Sequence, residues 1–158
     1  MSEVHQLVRM LKDKNLTLGL AESVTCGMAA YKLSNVKGIS EVLRGSIACY
    51  TPEVKIALFG ISKRMIEKYT CESMQVTQAL VTKLPKLIPA DVYVAVTGLA
   101  SPSPNGSESK IKPVGTAFIC VRYKNKLYKT KHVFKGTPLQ IKNKICLELY
   151  RFISSILE

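Results

Sequence analysis

Tryptophan is absent from this chain and histidine nearly so, with His5 and His132 the only two. Such a pair, far apart in sequence, leaves a structural or catalytic zinc site short of its commonest ligand. Cysteine is scarcely better placed. Cys26, Cys49, Cys71, Cys120 and Cys146 are odd in number and scattered, with no metal-knuckle or redox-pair spacing, so reduced, mostly packed thiols are expected. No apolar run approaches the length of a membrane span. The opening residues, MSEVHQLVRMLKDKN, carry acid and lack the apolar stretch of a secretory leader, so a cytoplasmic protein without a membrane partner is expected. Acidic residues are also few: 11 against 23 Lys and Arg, a net charge of +12. That balance favours anionic partners, whether a phosphorylated small molecule, nucleic acid or an acidic surface. It fits a plain basic surface as well.

What is present reads as a folded chain. At 158 residues, 47% apolar and 22% charged, it has material for one domain with a real core, and no internal repeat divides it. Residues 16–38, LTLGLAESVTCGMAAYKLSNVKG, organise the rest. Leu16, Leu18, Leu20 and Ala21 form an apolar run right for a buried strand; small and polar residues follow, then a helical run from Met28 to Leu33 closed by Ser34, Asn35 and Gly38. A strand turning sharply into a helix aims the turn's side chain outward. It also leaves the first helical N–H groups for an anion or a developing oxyanion. Ser23 sits at that turn and is the candidate nucleophile.

The remaining elements alternate. Residues 3–14 have helical spacing, and Val42–Tyr50 reads as a strand interrupted by Gly45. Thr51-Pro52 opens a short helix through Phe59, stopped by Gly60; Ser62 caps another over 64–69; a longer helix runs from Thr70 or Cys71 through Leu84. DVYVAVT (91–97) has the composition of a central strand, and the Ser-, Pro- and Gly-rich stretch after Pro102 reads as a long loop. Residues 113–123 and 127–134 form a hairpin about Lys124-Asn125-Lys126, with Arg122, Lys124, Lys126, Lys129 and Lys131 making one face basic. A lysine-protected sheet edge accounts for that face ahead of a nucleic-acid platform, since no aromatic RNA-binding pattern accompanies it. Thr137-Pro138 then introduces a final helix to Leu157. Strands alternating with helices, followed by a hairpin, predict a layered α/β fold on a mixed sheet.

A serine nucleophile needs a base. A Ser-His-Asp set would require His5 or His132 with Asp13 or Asp91, none of which the pattern brings to the Ser23 turn. A Ser-Lys pair is the other known solution, although spacing alone does not single out one lysine among so many.

AESVTCG (21–27) resembles the alanine-glutamate-serine-x-threonine-glycine-glycine signature of the CinA C-terminal domain family, the nicotinamide mononucleotide deamidases. The resemblance continues in order through RGSIACYTPEVKIALFGIS (44–62), TGLASP (97–102), KPVGTAFI (112–119) and FKG (134–136), nearly the whole chain. It implies a three-layer α/β/α sandwich and a single domain over 1–158; members also occur fused behind a larger domain, for which this length leaves no room. It further implies hydrolysis of a nucleotide carboxamide to acid and ammonia, with neither metal nor organic cofactor. On this chain Ser23 is then the nucleophile and Lys55 its base. Glu22, Thr25, Gly27, Tyr50, Thr97, Gly98 and Lys142 fall at substrate-binding positions, with a structural role equally open to Glu22. A two-fold homodimer is expected on base rates. Three departures stand out. Cys26 replaces a glycine, adding bulk near substrate; Ser101 replaces another; and the family's glycine-aspartate-arginine reads Gly136-Thr137-Pro138, with Lys142 as a partial substitute for the arginine. They open an alternative, a nucleotide-binding module of the same fold that no longer turns substrate over.

Overall fold

The computed structural model describes residues 1–103 and 112–158. The first helix, α1 (Glu3–Asp13), turns Leu7, Val8 and Leu11 into the core. Strand β1 (Leu18–Glu22) begins two residues later than its apolar run, because the N–H and hydroxyl of Thr17 both donate to Asp91, at 2.8 and 2.7 Å. Then come α2 (Met28–Ser34), β2 (Leu43–Ala48), α3 (Pro52–Phe59), α4 (Lys63–Tyr69) and α5 (Met74–Lys83). The caps foreseen for α3 and α4 form: Thr51 accepts from Val54 N–H, Ser62 from Met65 N–H. The start of α5 differs from expectation. Thr70 takes a left-handed φ of 67° and ends α4, and Ser73, three residues on, caps α5 by accepting from Val76 N–H.

Strand β3 (Val92–Gly98) is buried for nearly its whole length, as a central strand should be. The hairpin consists of β4 (Thr116–Tyr123) and β5 (Lys126–Val133). Lys124 and Asn125 have φ of 48° and 62°, the left-handed pair of a two-residue turn, so Lys126 belongs to the strand and not to the loop. The last helix, α6 (Pro138–Leu157), opens with a reciprocal capping box between Thr137 and Gln140. Most of the long loop foreseen after Pro102 lies outside the described residues.

The sheet runs β2-β1-β3-β4-β5, with β1 parallel to both neighbours and the last two pairings antiparallel. From β1 the chain crosses outward to β2 and then back over to β3. Two crossovers in opposite directions put α2 on one face and α3 to α5 on the other. Residue parity follows. Leu20, Val94 and Ile119 pack with α1, α2 and α6, whereas Ala95 and Cys120 pack with Val76 and Leu80 of α5. This is an α/β fold on a five-stranded mixed sheet with helices packed on both faces.

The basic hairpin face needs correction. Arg122, Lys129 and Lys131 share the α5 side, but Lys126 pairs with Tyr123 and so has the opposite parity, and Lys124 is in the turn. The α5-side cations are largely engaged: Arg122 donates to Thr82 O, Lys129 to Gln78 Oε1, and Lys131 lies over the Phe118 ring.

Candidate active site

Three parallel strands end at one edge of the molecule, where α/β sheets bind their ligands. Ser23 follows β1, Cys49 and Tyr50 follow β2, and Leu99 to Ser103 follow β3. Between them, with Pro138 and Lys142 of α6, lies a cavity of about 260 Å³ whose wall includes Ser23, Val24, Tyr50, Gly98 and Lys142. A wider groove of about 530 Å³ between α1, α2 and α6 holds neither Ser23 nor Lys55. Chemistry, and not size, singles out the smaller one.

Lys55 enters this site from behind. It is 0% exposed and among the largest fully buried side chains. The helix carrying it is patterned inside out, since Ile56 and Leu58 face solvent while Lys55 and Phe59 face in. Its Nζ lies 2.9 Å from Ser23 Oγ, 2.6 Å from Cys49 O and 3.3 Å from Tyr50 O. A buried amine is tolerable only with such partners, and here they are two carbonyls and one hydroxyl. Beside it, burial pushes the Cys49 thiol up against the opposing pull of Lys55, which keeps that sulfur protonated.

The anion site foreseen at the start of α2 is already filled. Glu22, 0% exposed, projects its carboxylate onto that helix end and accepts from Ala29 N–H at 3.0 Å, Ala30 N–H at 2.9 Å and Gly27 N–H at 3.1 Å. Thr25 Oγ also donates to it at 2.7 Å, and Ser46 of β2 at 2.9 Å. Glu22, Thr25 and Gly27 therefore lie behind the cavity and do not line it. Thr97 is also set back: it is fully buried and shares a 2.9 Å hydrogen bond with Thr77. Tyr50, Gly98 and Lys142 do reach the wall. Gly98 has a packing reason to be glycine, because a methyl there would collide with the carbonyl of Thr116.

Cys26 is exposed and left-handed, with φ 48°. The glycine it replaces answers a conformational need of the turn, and the extra bulk expected near substrate points to solvent. Pro138, at the position where the family has arginine, is on the cavity wall. The histidines are elsewhere: His5 pairs with Ser2, and His132 contacts Thr130 and Glu148. Sequence reasoning missed Val24, Ser46 and the carbonyls that hold Lys55. A serine in the strand before Tyr50 was the one visible signal, and its partner, Glu22, is 24 residues away.

An α/β domain with its site at the carboxyl ends of parallel strands is the class these features define. The chain belongs to the CinA C-terminal domain family, which matches over residues 2–157 and includes amidohydrolases. A CinA-like protein of Pseudothermotoga lettingae is 38% identical over 115 residues, 73% of this chain and 28% of that protein. One from Fervidobacterium nodosum is 34% identical over 146 residues, 92% of this chain and 35% of that protein. The chain thus spans about a third or less of these relatives' length. Among solved structures, a CinA superfamily protein of Escherichia coli superposes with TM-score 0.88 at 22% identity, covering 98% of this chain and 88% of that one. A competence/damage-inducible protein of Agrobacterium tumefaciens gives 0.88 at 21%, covering 100% and 98%. Among the described residues no helix is long and apolar enough to cross a membrane.

Proposed function

We propose that this protein is an amidohydrolase that cleaves the carboxamide of nicotinamide mononucleotide, or of a closely related nucleotide amide, through Ser23 and Lys55. The observation that carries the reading is the 2.9 Å approach of a wholly buried lysine amine to a hydroxyl on the cavity wall. As the base, Lys55 takes the proton of Ser23, while the carbonyls of Cys49 and Tyr50 hold its amine against that hydroxyl.

Ser23 Oγ attacks the amide carbon while its proton passes to Lys55 Nζ. The Ser23 N–H is committed to Val96 O at 3.1 Å, so it does not serve the oxyanion. The N–H of Val24, a residue on the cavity wall, has no acceptor among the described residues and is the donor assigned to it. Collapse breaks the C–N bond, and Lys55 returns the proton to the departing nitrogen, releasing ammonia. Water, deprotonated by Lys55, then attacks the acyl-serine; the C–O bond to Ser23 breaks, Lys55 passes that proton to Ser23 Oγ, and the acid leaves with both residues restored. Among the described residues Lys142 is the cation on the wall and the group assigned to the phosphate.

Purified protein should release ammonia from the mononucleotide, and Ser23→Ala and Lys55→Ala should both abolish the release. No release at high enzyme concentration overturns the reading. Pro138 on the wall favours one alternative, a binding module without turnover. Saturable mononucleotide binding with no product would establish that alternative.

A further inference from the structure

We infer that Glu22 is a positioning residue, one that locks the nucleophile turn and the lysine-holding segment into one rigid unit. The inference rests on the serine–lysine reading above. Five donors converge on one buried carboxylate: Thr25 Oγ, Gly27 N–H and Ala29 N–H on Oε2, and Ala30 N–H and Ser46 Oγ on Oε1. An ionised carboxylate, which only accepts, satisfies all of them; a carboxamide presents its own N–H₂ to one oxygen's share of the donors. The hydroxyls of Thr25 and Ser46 can rotate to accept instead, but the backbone N–H groups of residues 27, 29 and 30 cannot. Any glutamine orientation therefore leaves at least one buried donor facing another donor.

The arrangement reaches both catalytic groups. Ser23 is the next residue in the chain. On the other side, the backbone carbonyl of Glu22 accepts from Cys49 N–H at 2.8 Å, and Cys49 Sγ donates to it at 3.5 Å. The carbonyl of Cys49 in turn accepts from Lys55 Nζ at 2.6 Å. One residue therefore holds the turn through its side chain and the lysine's anchor through its main chain. The 2.9 Å gap between Ser23 and Lys55 is set by this double hold, with no contact between Glu22 and the cavity.

The test compares wild type, Glu22→Gln and Ser46→Ala using a fluorophosphonate serine probe, with adduct formation at Ser23 read by intact mass. Crystal structures of wild type and the variants accompany the labelling. A displacement of about 1 Å at the reacting pair should slow labelling about 100-fold in Glu22→Gln. Ser46→Ala, which keeps four of the five donors, should slow it about tenfold. Ser23 Oγ and Lys55 Nζ should move out of hydrogen-bond range in Glu22→Gln. Unchanged labelling with the pair still in contact overturns the inference. Labelling lost while the pair keeps its distance also overturns it, since the effect then comes from something other than positioning. If wild type is labelled at Ser23 but releases no ammonia, the amidase reading fails and this one stands. If wild type is not labelled at all, the Ser23–Lys55 distance in the variant structures decides alone. Should Glu22→Gln fail to fold, Ser46→Ala carries the test.

Discussion

The parallel and antiparallel halves of the sheet are built from the same strand geometry and put to different uses. β2, β1 and β3 run side by side in one direction, and the chain leaves all three at the same edge, carrying Ser23, Tyr50 and the 99–103 segment into one cavity. β4 and β5 run back and forth. Their ends carry a tight turn, and their α5-side cations are spent on that helix and on an aromatic ring. Direction alone separates them. Parallel strands gather their exits, and an exit is where a side chain can be aimed without breaking a ladder. The basic hairpin, the most conspicuous feature of the composition, is the part with the least chemistry.

The largest expected effects fall on the parallel half. Ser23→Ala and Lys55→Met should each lower ammonia release by about a thousandfold or more, with binding of the mononucleotide retained. Lys129→Ser with Lys131→Ser in the hairpin should leave turnover unaltered; a comparable loss from the hairpin pair would break the contrast. Next comes the seam between the halves. Gly98→Ala drives a methyl into the Thr116 carbonyl and should cost about 2–3 kcal/mol in chemical denaturation. A neutral result would mean that β3 and β4 separate there more easily than their pairing implies.

A smaller effect is expected at the cavity rim. Lys142→Ala should raise KM for the mononucleotide about tenfold with kcat little changed, because it removes binding shared by ground and transition states. An equal fall in kcat would give Lys142 a part in the chemistry. The smallest lies at the far end of the parallel half. The hydroxyl and then the N–H of Thr17 hold the Asp91 carboxyl below its usual range. A lowered folded-state value means a stabilising contribution that is complete above the unfolded value and lost as pH falls through the folded one. Asp91→Ala should therefore be less stable by about 0.5–1 kcal/mol at neutral pH, and unfolding curves taken at falling pH should converge on wild type. A gap that widened in acid would have the wrong sign.

Local signals in the sequence were read well wherever the cause was itself local. Thr51 before Pro52, Ser62, and Thr137 before Pro138 all cap as their spacing foretold, and Gly60 stops α3 in a left-handed conformation. The start of α5 was misplaced because Thr70, Cys71 and Ser73 are comparable candidates within a few residues. That connection is held from elsewhere, by Lys112 donating to the carbonyls of Tyr69 and Glu72 and to the hydroxyl of Thr70. The charged face of the hairpin was misjudged for want of register. Once Lys124 and Asn125 take the turn, Lys126 changes side. At the site, the nucleophile turn was visible as a pattern of small residues after an apolar run, whereas Lys55 stood out only through family resemblance. Its environment consists of two carbonyls and a hydroxyl, none of which leaves a mark in composition. The filling of the α2 end by Glu22 was hidden for a related reason: a carboxylate one position before a serine carries no sign of which way it folds.

The inside-out patterning of α3 bears on how such a chain could lose its activity. With Ile56 and Leu58 in solvent, the helix is fastened to the body by Val54, Phe59 and the amine of Lys55, so deleting that amine takes a donor from the carbonyls of Cys49 and Tyr50. A lineage that had abandoned turnover would retain the lysine for mechanical reasons alone. Among the described residues Ser23 has no comparable second duty, because its hydroxyl is held by that same amine. For sorting working copies from relics, the serine is the informative position and the lysine a poor witness.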